Sequence, residues 1–226
     1  MDVQATYDRI AAHFAKTREY AWPEVESFLD GRRADRALDV GCGNGRHTEL
    51  LAARADTAVG VDVSRELLRE AVARATERGF DAAFVHGDAA ALPFADRSFG
   101  VATYVATLHH LPSREARVRS LDEIARVLAP GGAALVSAWS TAHDRFAEAA
   151  PAGADAEAGF DTTVDWTLPG GETVPRFYHI YAPAEFEADV AASALELRSL
   201  ELSSGNCYAV VTPAGDDADA AGNGEE

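Results

Sequence analysis

The chain has 226 residues, of which 47% are hydrophobic, and a formal net charge of -17 at pH 7. This length suits one domain, and the apolar content can build a full core. No stretch approaches the ~18 consecutive apolar residues of a membrane span. Because the first residues also lack the basic and apolar regions of a secretory signal, we expect a cytoplasmic protein without membrane contact.

The charge has an unusual make-up, because Lys16 is the only lysine among the 20 basic residues. Acidic surfaces that use arginine in place of lysine are typical of adaptation to high salt, where the Debye length falls to about 3 Å at 1 M. An ordinary acidic protein is the alternative. Negative charge argues against nucleic-acid partners, but less so where it reflects the solvent. Cys42 and Cys207 are too few for a disulfide framework or a zinc site, so we expect free thiols and no metal.

Hydrophobic periodicity predicts an alternation of helices and strands. The predicted helices are Tyr7–Phe14, Pro23–Leu29, Arg46–Ala55, Arg65–Arg78, a helix that begins after an N-cap at Ser113 and stops at Pro130-Gly131-Gly132, and Pro183–Ala192. The predicted strands are one that ends at Val40, then Ala58–Val61, Ala82–His86, Phe99–Val105, Ala133–Ala138, Leu195–Leu202 and Cys207–Val211. This order argues for an α/β fold with a doubly wound, seven-stranded, mostly parallel sheet, N-terminal helices and a C-terminal antiparallel hairpin.

The domain organisation is expected to be simple. Residues 1–212 are predicted to form a single domain, with 1–35 as an N-terminal helical cap and 140–182 as an insertion on the substrate side. Within that insertion, residues 150–176 are rich in Gly, Pro and Asp and are predicted to form a functional or mobile loop. The acidic tail, residues 213–226, is predicted to be disordered.

A glycine-rich turn follows the first predicted strand, in residues 38–45 (LDVGCGNG). Glycine is needed where a side chain would clash or would keep a ligand from the main chain. The dinucleotide fingerprint requires a third glycine at the sixth position, which Arg46 occupies here. Asp39, at the strand end, suits an ammonium group better than a pyrophosphate. The pattern therefore favours S-adenosylmethionine (SAM) over NAD, with a purely structural turn as the alternative.

Further polar residues follow the next three strands. Asp62, 23 residues beyond Asp39, is placed to accept hydrogen bonds from both ribose hydroxyls. Its alternative role as a helix cap can be filled by Ser64. Asp88 is placed to accept from an adenine amino group. His109 and His110 follow the fourth strand; substrate contact is favoured for His109, with helix capping or closure of the adenine pocket as the alternative.

Together these loops resemble those of class I SAM-dependent methyltransferases over about residues 36–138. The resemblance implies SAM as cofactor and S-adenosylhomocysteine as product. Tyr7 resembles the tyrosine that closes over the cofactor, although an amphipathic helix would also bury it. The predicted cofactor-binding residues are Tyr7, Asp39, Gly41, Cys42, Gly43, Asn44, Gly45, Asp62, Val63, Asp88, Ala89 and Leu108.

A closer resemblance spans most of the chain and points to the tRNA wobble carboxymethyluridine methyltransferases. It is carried by Tyr7-Asp8, Phe14, Thr17-Arg18, Trp22-Pro23, Gly41 to Gly45, His109-His110, Glu115, Arg117, Arg176, Tyr178-His179 and Tyr181. Leu111 and Ala116 depart from the family's usual aromatic residue and arginine. The resemblance implies a tRNA substrate and a small zinc-binding activator subunit that pairs with the edge strand Ala82 to Val85.

Methyl transfer from a sulfonium is an in-line displacement, so the protein mainly aligns the reacting groups. A carboxylate acceptor arrives ionised and needs no general base, and arginine can hold it. The predicted catalytic residues are Arg18, His109, Arg176 and Tyr178. Surface roles for the arginines are the alternative. A small-molecule methyltransferase of the same fold and a non-catalytic SAM-binding scaffold subunit remain competing functions.

Overall fold

The computed structural model describes residues 2–146 and 158–215. Its helices are α1 (Val3–Lys16), α2 (Pro23–Leu29), α3 (Arg46–Ala52), α4 (Arg65–Arg78), α5 (Arg114–Val127) and α6 (Pro183–Ala191). Its strands are β1 (Ala34–Val40), β2 (Ala55–Asp62), β3 (Ala83–His86), β4 (Phe99–Val105), β5 (Leu128–Trp139), β6 (Phe160–Thr167), β7 (Thr173–Ile180), β8 (Leu195–Ser203) and β9 (Asn206–Pro213). Within these residues no helix combines the length and apolarity needed to cross a membrane.

Seven of the strands form one sheet in the order β3-β2-β1-β4-β5-β9-β8. The strands from β3 to β5 are parallel, whereas β9 runs antiparallel to both β5 and β8. The predicted fold class, including the C-terminal antiparallel hairpin, is confirmed. The strand order reverses between β1 and β4, and this is where an open α/β sheet forms a crevice at the carboxyl ends of its strands.

Apolar side chains cover both faces of the sheet. On one face, the core includes Leu121 of α5 and Phe186 of α6, and on the other it includes Phe28 of α2 and Leu51 of α3. Because the central strands are buried on both sides, they read as nearly continuous apolar runs. The sheet thus lies between two layers of helices, and this packing fixes the strand ends that form the cavity described below.

Helix starts follow the side-chain caps that the sequence offers. The Ser64 hydroxyl accepts a hydrogen bond from the Leu67 amide at 3.1 Å, which confirms its predicted role as the cap of α4. In the same way, Asp2 accepts from the Ala5 amide at 3.0 Å. Helix α1 therefore begins at Val3, earlier than its apolar periodicity indicated.

Two more predicted boundaries differ from the structure. Helix α3 ends at Ala52 because Ala55 already pairs with Ala34 at the start of β2. Strand β5 begins at Leu128, where the chain pairs with β4 across a register shift. Helix α5 therefore ends before its predicted stop at Pro130-Gly131-Gly132. The acidic-tail prediction falls largely on residues 216–226, which lie outside the described part of the chain.

The predicted loop over residues 150–176 is wrong for its second half. Strands β6 and β7 pair there as a separate antiparallel sheet. The β-branched and aromatic residues of β6, FDTTVDWT, favour an extended pleated chain, and the turn residues Pro169 to Gly171 close the hairpin. The first part of the predicted loop, residues 150–157, lies outside the described residues.

Candidate active site

A cavity of about 450 Å³ opens at the carboxyl ends of the parallel strands, beside the reversal of strand order. Most of the predicted cofactor-binding residues line it: Tyr7, Gly41, Cys42, Gly43, Asn44, Asp62, Val63, Asp88 and Ala89. The structure does not bring Asp39, Gly45 and Leu108 to the cavity wall. The wall thus follows the ends of β1, β2 and β3 in turn.

The glycine loop after β1 packs so closely against the turn after β4 that Gly41 has no room for a side chain. Gly41 has a φ of +67°, and a Cβ placed on it would lie 2.0 Å from the Thr107 hydroxyl oxygen. Any side chain at this position would displace the turn after β4. The loop therefore brings bare main chain against the cavity, as the sequence pattern predicted.

Asp62 is the best-fixed acid of the cavity wall. Its Oδ2 accepts from the Gly43 amide and its Oδ1 from the Ser64 amide, both at 2.8 Å. Burial raises the pKa of Asp62. Each carboxylate oxygen keeps a second lone pair, so Asp62 can still accept from hydroxyl groups of a ligand. Asp88 is more exposed and accepts from the Ala90 amide at 2.8 Å.

Asp39 lies behind the glycine loop and is only 1% exposed. Its two oxygens accept hydrogen bonds from the hydroxyls of Thr48 at 2.7 Å and Thr103 at 2.8 Å. Burial raises the pKa of Asp39 to about 6. These bonds join β1 to α3 and β4, so the structure gives Asp39 an internal position instead of the predicted contact with an ammonium group.

The other two predicted cofactor residues also lie outside the wall. Gly45 is the left-handed residue that precedes α3, and a Cβ on it would come 3.3 Å from Ala71 and Phe84. Leu108 is fully buried in the core beneath the turn after β4. Both positions support the loops that carry the wall.

Helix α1 is fastened over the cavity at three points. Tyr7 donates its hydroxyl to His110 Nε2 at 2.7 Å. Asp8 accepts from the Ser64 hydroxyl at 2.7 Å at the start of α4. At the other end of the helix, Asn44 of the glycine loop donates its side-chain amide to the Arg18 carbonyl at 3.0 Å. The N-terminal segment is therefore an integral part of the site.

The two adjacent histidines have different positions. His110 lines the cavity; its Nδ1 lies 2.9 Å from the Phe177 carbonyl and must donate to it, so its Nε2 accepts from Tyr7. Burial lowers the pKa of His110 to about 4. His109 is 2% exposed, its Nδ1 accepts from the Trp139 amide at 2.9 Å, and it does not line the cavity. The structure thus places His110 at the cavity, whereas the sequence favoured His109.

Arg18 and Arg176 converge from opposite ends of the chain onto one tryptophan. Their guanidinium carbons lie 5.6 and 4.8 Å from the Trp166 ring centre. Arg176 also lies 5.1 Å from the centre of the Tyr178 ring, which is itself buried. Among the described residues, neither arginine forms an ion pair with a carboxylate. Arg176 is 6% exposed, and its Nε is buried without a hydrogen-bond partner.

Both guanidinium groups of this arginine pair thus lack a carboxylate partner among the described residues. Burial first, and the neighbouring Arg176 second, lower the pKa of Arg18. Burial likewise raises the pKa values of Tyr7 and Tyr178, which keeps both hydroxyls protonated near neutral pH. A cluster of two cations and two neutral hydroxyls suits an anionic ligand group.

Several wall residues were missed in the sequence because nothing in their spacing marks them. His47, Thr107 and Leu111 line the cavity. Thr107 is recognisable only through its approach to Gly41, and His47 only through the burial of its ring. Leu111 stands where the resembling family has an aromatic residue.

Strand β3 forms one edge of the seven-stranded sheet, as the sequence predicted. It begins at Ala83, and the side chains of Phe84 and Val85 are half-buried. An edge strand leaves main-chain groups available for pairing with another chain.

The chain matches known proteins in sequence. A family model described as a methyltransferase domain matches residues 37–132. A protein of Encephalitozoon cuniculi with a methyltransferase name is 33% identical over 181 residues, which cover 79% of this chain and 80% of that protein. The tRNA (carboxymethyluridine(34)-5-O)-methyltransferases of Arabidopsis thaliana and Xenopus tropicalis are 33% and 37% identical over 61% of this chain. The chain spans 32% and 21% of their lengths.

Solved structures share the fold. The CcbJ methyltransferase of Streptomyces caelestis matches with a TM-score of 0.72 and 20% identity, over 95% of this chain and all of that chain. The DhpI-SAM-HEP complex matches with a TM-score of 0.70 and 21% identity, over 94% and 97%. A chain from the complex between the Haloferax volcanii Trm112 methyltransferase activator and a methyltransferase matches with a TM-score of 0.67 and 17% identity, over 92% and 97%.

Proposed function

The chain belongs to the class I SAM-dependent methyltransferases, and from this premise we propose that it methylates the carboxylate of a carboxymethyl-type modified wobble uridine in tRNA. The product is a methyl ester. SAM carries the methyl group on a sulfonium sulfur, and transfer of the methyl group leaves this sulfur as a neutral thioether. What the chain adds is the position and charge state of the acceptor.

The cavity residues fit SAM. Asp62 keeps free lone pairs beside the glycine loop and is the residue we assign to the ribose hydroxyls. Asp88 is exposed at the end of β3, where it suits the adenine amino group. The bare main chain at Gly41 admits a ligand close to β1. The wall residue Phe14 joins this cofactor site to the arginine pair, because its ring centre lies 4.8 Å from the Arg18 guanidinium.

The observation that carries the proposal is the unpaired couple Arg18 and Arg176. A buried guanidinium without a carboxylate is costly unless a ligand supplies the missing charge. A carboxylate matches the planar fork of arginine and leaves its second oxygen free to attack the methyl group. Since it is already ionised near neutral pH, no base is required, which agrees with two neutral, hydrogen-bonded histidines.

The tRNA part of the proposal is supported by the names of the relatives from Arabidopsis thaliana and Xenopus tropicalis. It is also supported by the aromatic residues around the arginine pair, because Trp139 and Tyr178 are stacked at 4.7 Å and can extend to a base. The net charge of -17 instead favours a small-molecule acceptor on the same fold. Adaptation to a salty cytoplasm, which we propose for this protein, removes that objection.

Transfer to tRNA tests the proposal directly. The protein is incubated at molar salt with its activator, labelled SAM and bulk tRNA that was isolated from a strain lacking this methyltransferase. The nucleosides are then analysed by mass spectrometry. We expect label in one uridine derivative with the mass of a carboxymethyl ester. Absence of a labelled nucleoside under these conditions would contradict the proposal. A labelled small carboxylate from cell extract would support the small-molecule alternative, whereas loss of turnover in Arg18→Ala with SAM still bound would exclude the scaffold alternative.

We further propose that a small zinc-binding activator subunit adds a strand to β3. This is supported by the edge position of β3 and by the structural match to a chain solved with a methyltransferase activator. Phe84→Asp should abolish co-purification of the small subunit. Leu202→Asp, an exposed change on β8 at the opposite edge, is the matched control and should leave it intact. Undisturbed co-purification with folded Phe84→Asp would refute this interface.

A further inference from the structure

One wall residue of the cavity has a polar atom that the fold does not satisfy. His47, the second residue of α3, is 5% exposed, and its Nε2 is buried without a hydrogen-bond partner among the described residues. Leaving such an atom unpaired is unfavourable, and buried polar groups in native proteins nearly always have partners. Because His47 also lines the cavity, the missing partner is expected on a ligand.

The surroundings of His47 determine which kind of ligand atom fits. Burial, followed by the charges of Arg46 and Arg74, lowers the pKa of His47 well below its ordinary value, so the ring is neutral. Burial also lowers the pKa of Arg46 to about 10, and its guanidinium lies 4.8 Å from the Trp22 ring. A neutral imidazole beside a cation suits a carboxylate, which takes a hydrogen bond from the ring and is attracted by the charge.

The strand order places this point at one end of the bound cofactor. Asp88 follows β3, Asp62 ends β2, and the glycine loop with His47 follows β1, so the three lie in sequence across neighbouring strands. Neighbouring strands are about 4.8 Å apart, so the three positions follow one another along the same edge of the sheet. With Asp88 assigned to adenine and Asp62 to ribose, the amino-acid end falls at His47.

We propose that His47 binds the carboxylate of the amino-acid end of SAM and of S-adenosylhomocysteine, with Nε2–H as the donor. The residue selects the amino-acid portion of the cofactor and has no contact with the acceptor. The inference uses the cofactor assignments of the proposed function but is independent of tRNA and of the activator.

Calorimetric titration with two ligands tests this role. His47→Phe keeps a ring against Trp22, whose centre lies 6.0 Å from that of His47, and removes the donor. We expect its affinity for S-adenosylhomocysteine to fall roughly tenfold. Affinity for 5′-methylthioadenosine, which lacks the amino-acid end, should be unchanged. His47→Gln, which restores an N–H donor, should recover part of the affinity for S-adenosylhomocysteine.

The control distinguishes this role from a general effect on the cavity. Asp62→Asn should weaken both ligands to a similar degree, because both contain the ribose. Equal losses for both ligands in His47→Phe would overturn the proposal and show that the ring only supports the fold. Unchanged affinity for S-adenosylhomocysteine would overturn it too. Neither result bears on the acceptor, since no methyl transfer is measured.

Discussion

The proposed site has a cofactor end, which is the cavity, and an acceptor end beside it at Arg18 and Arg176, neither of which lines the cavity. The two ends are built in opposite ways. The cofactor end is built mostly from one stretch of chain, residues 40–90, and its acids Asp62 and Asp88 already accept hydrogen bonds from main-chain amides. The proposed acceptor end joins Arg18, His110 and Arg176 from three distant segments, and its arginines pair with no carboxylate among the described residues. Local hydrogen bonds thus satisfy the acids of one end, whereas the cations of the other end are the groups that we assign to an anionic acceptor.

Removing a cation from the acceptor end should have the largest effect. Arg176→Gln deletes a buried charge that we assign to the acceptor carboxylate, so kcat/KM for methyl transfer should fall roughly 100- to 1,000-fold. Calorimetry should show unchanged affinity for S-adenosylhomocysteine. Arg69→Gln, an exposed arginine on α4, is the matched control and should behave as the parent protein. A parallel loss of cofactor affinity would break the proposed division between the two ends.

Behind the cofactor end, ionisation of the buried Asp39 should change the free energy of unfolding. Burial raises the pKa of Asp39 from 3.8 to about 6, so between about pH 4 and 6 the folded chain keeps a proton that the unfolded chain releases. The free energy of unfolding therefore falls as pH rises through this window, by roughly 3 kcal/mol. The side chain of the Asp39→Asn variant cannot ionise, and its amide can still bond both threonine hydroxyls.

Asp39→Asn should accordingly be more stable than the parent at pH 8 and should lose this advantage near pH 4. Urea unfolding at the two pH values gives the comparison, with Asp35→Asn on the exposed start of β1 as the control. A difference in stability that is the same at both pH values would show that ionisation of Asp39 does not matter to the fold.

Tyr7 connects the two ends, so its removal should affect both moderately. Tyr7→Phe keeps the ring and deletes the hydroxyl that His110 accepts at 2.7 Å. The loss of one buried hydrogen bond, about 1 kcal/mol, should lower methyl transfer and cofactor affinity each by roughly fivefold. Steady-state kinetics and calorimetry measure the two effects. If only one of them changes, Tyr7 belongs to that end alone.

The smallest effect is expected for the indole that lies beside both arginines. Trp166 donates its Nε1–H to His13 at 3.0 Å. Trp166→Phe keeps a ring beside Arg18 and Arg176 but loses this bond, so KM for the acceptor should rise about two- to threefold with kcat unchanged. Trp22→Phe, which changes a ring beside His47 and Arg46, should leave this KM unaltered. A change in kcat alone would show that the indole does not position the arginines.

Much of the cofactor end was predictable, because its features are local. Alternating glycines after an apolar run imply a tight turn, and acids at the ends of parallel strands meet at one edge of the sheet. The mostly parallel sheet followed from the alternation of strands and helices, and the edge position of β3 from the family resemblance. The sequence alone thus determined the fold class, the family and the positions of Asp62 and Asp88 in the cavity.

Only the tertiary structure decided the rest, because it depends on contacts between distant segments. The orientation of one short turn decides which of the two adjacent histidines faces the cavity. There the Trp139 amide donates to His109, and the Tyr7 hydroxyl donates to His110. The hairpin of β6 and β7 brings Arg176 to Arg18, and no spacing in the chain encodes that meeting. The unsatisfied Nε2 of His47 is likewise recognisable only in the tertiary structure, where no described residue forms a hydrogen bond with it.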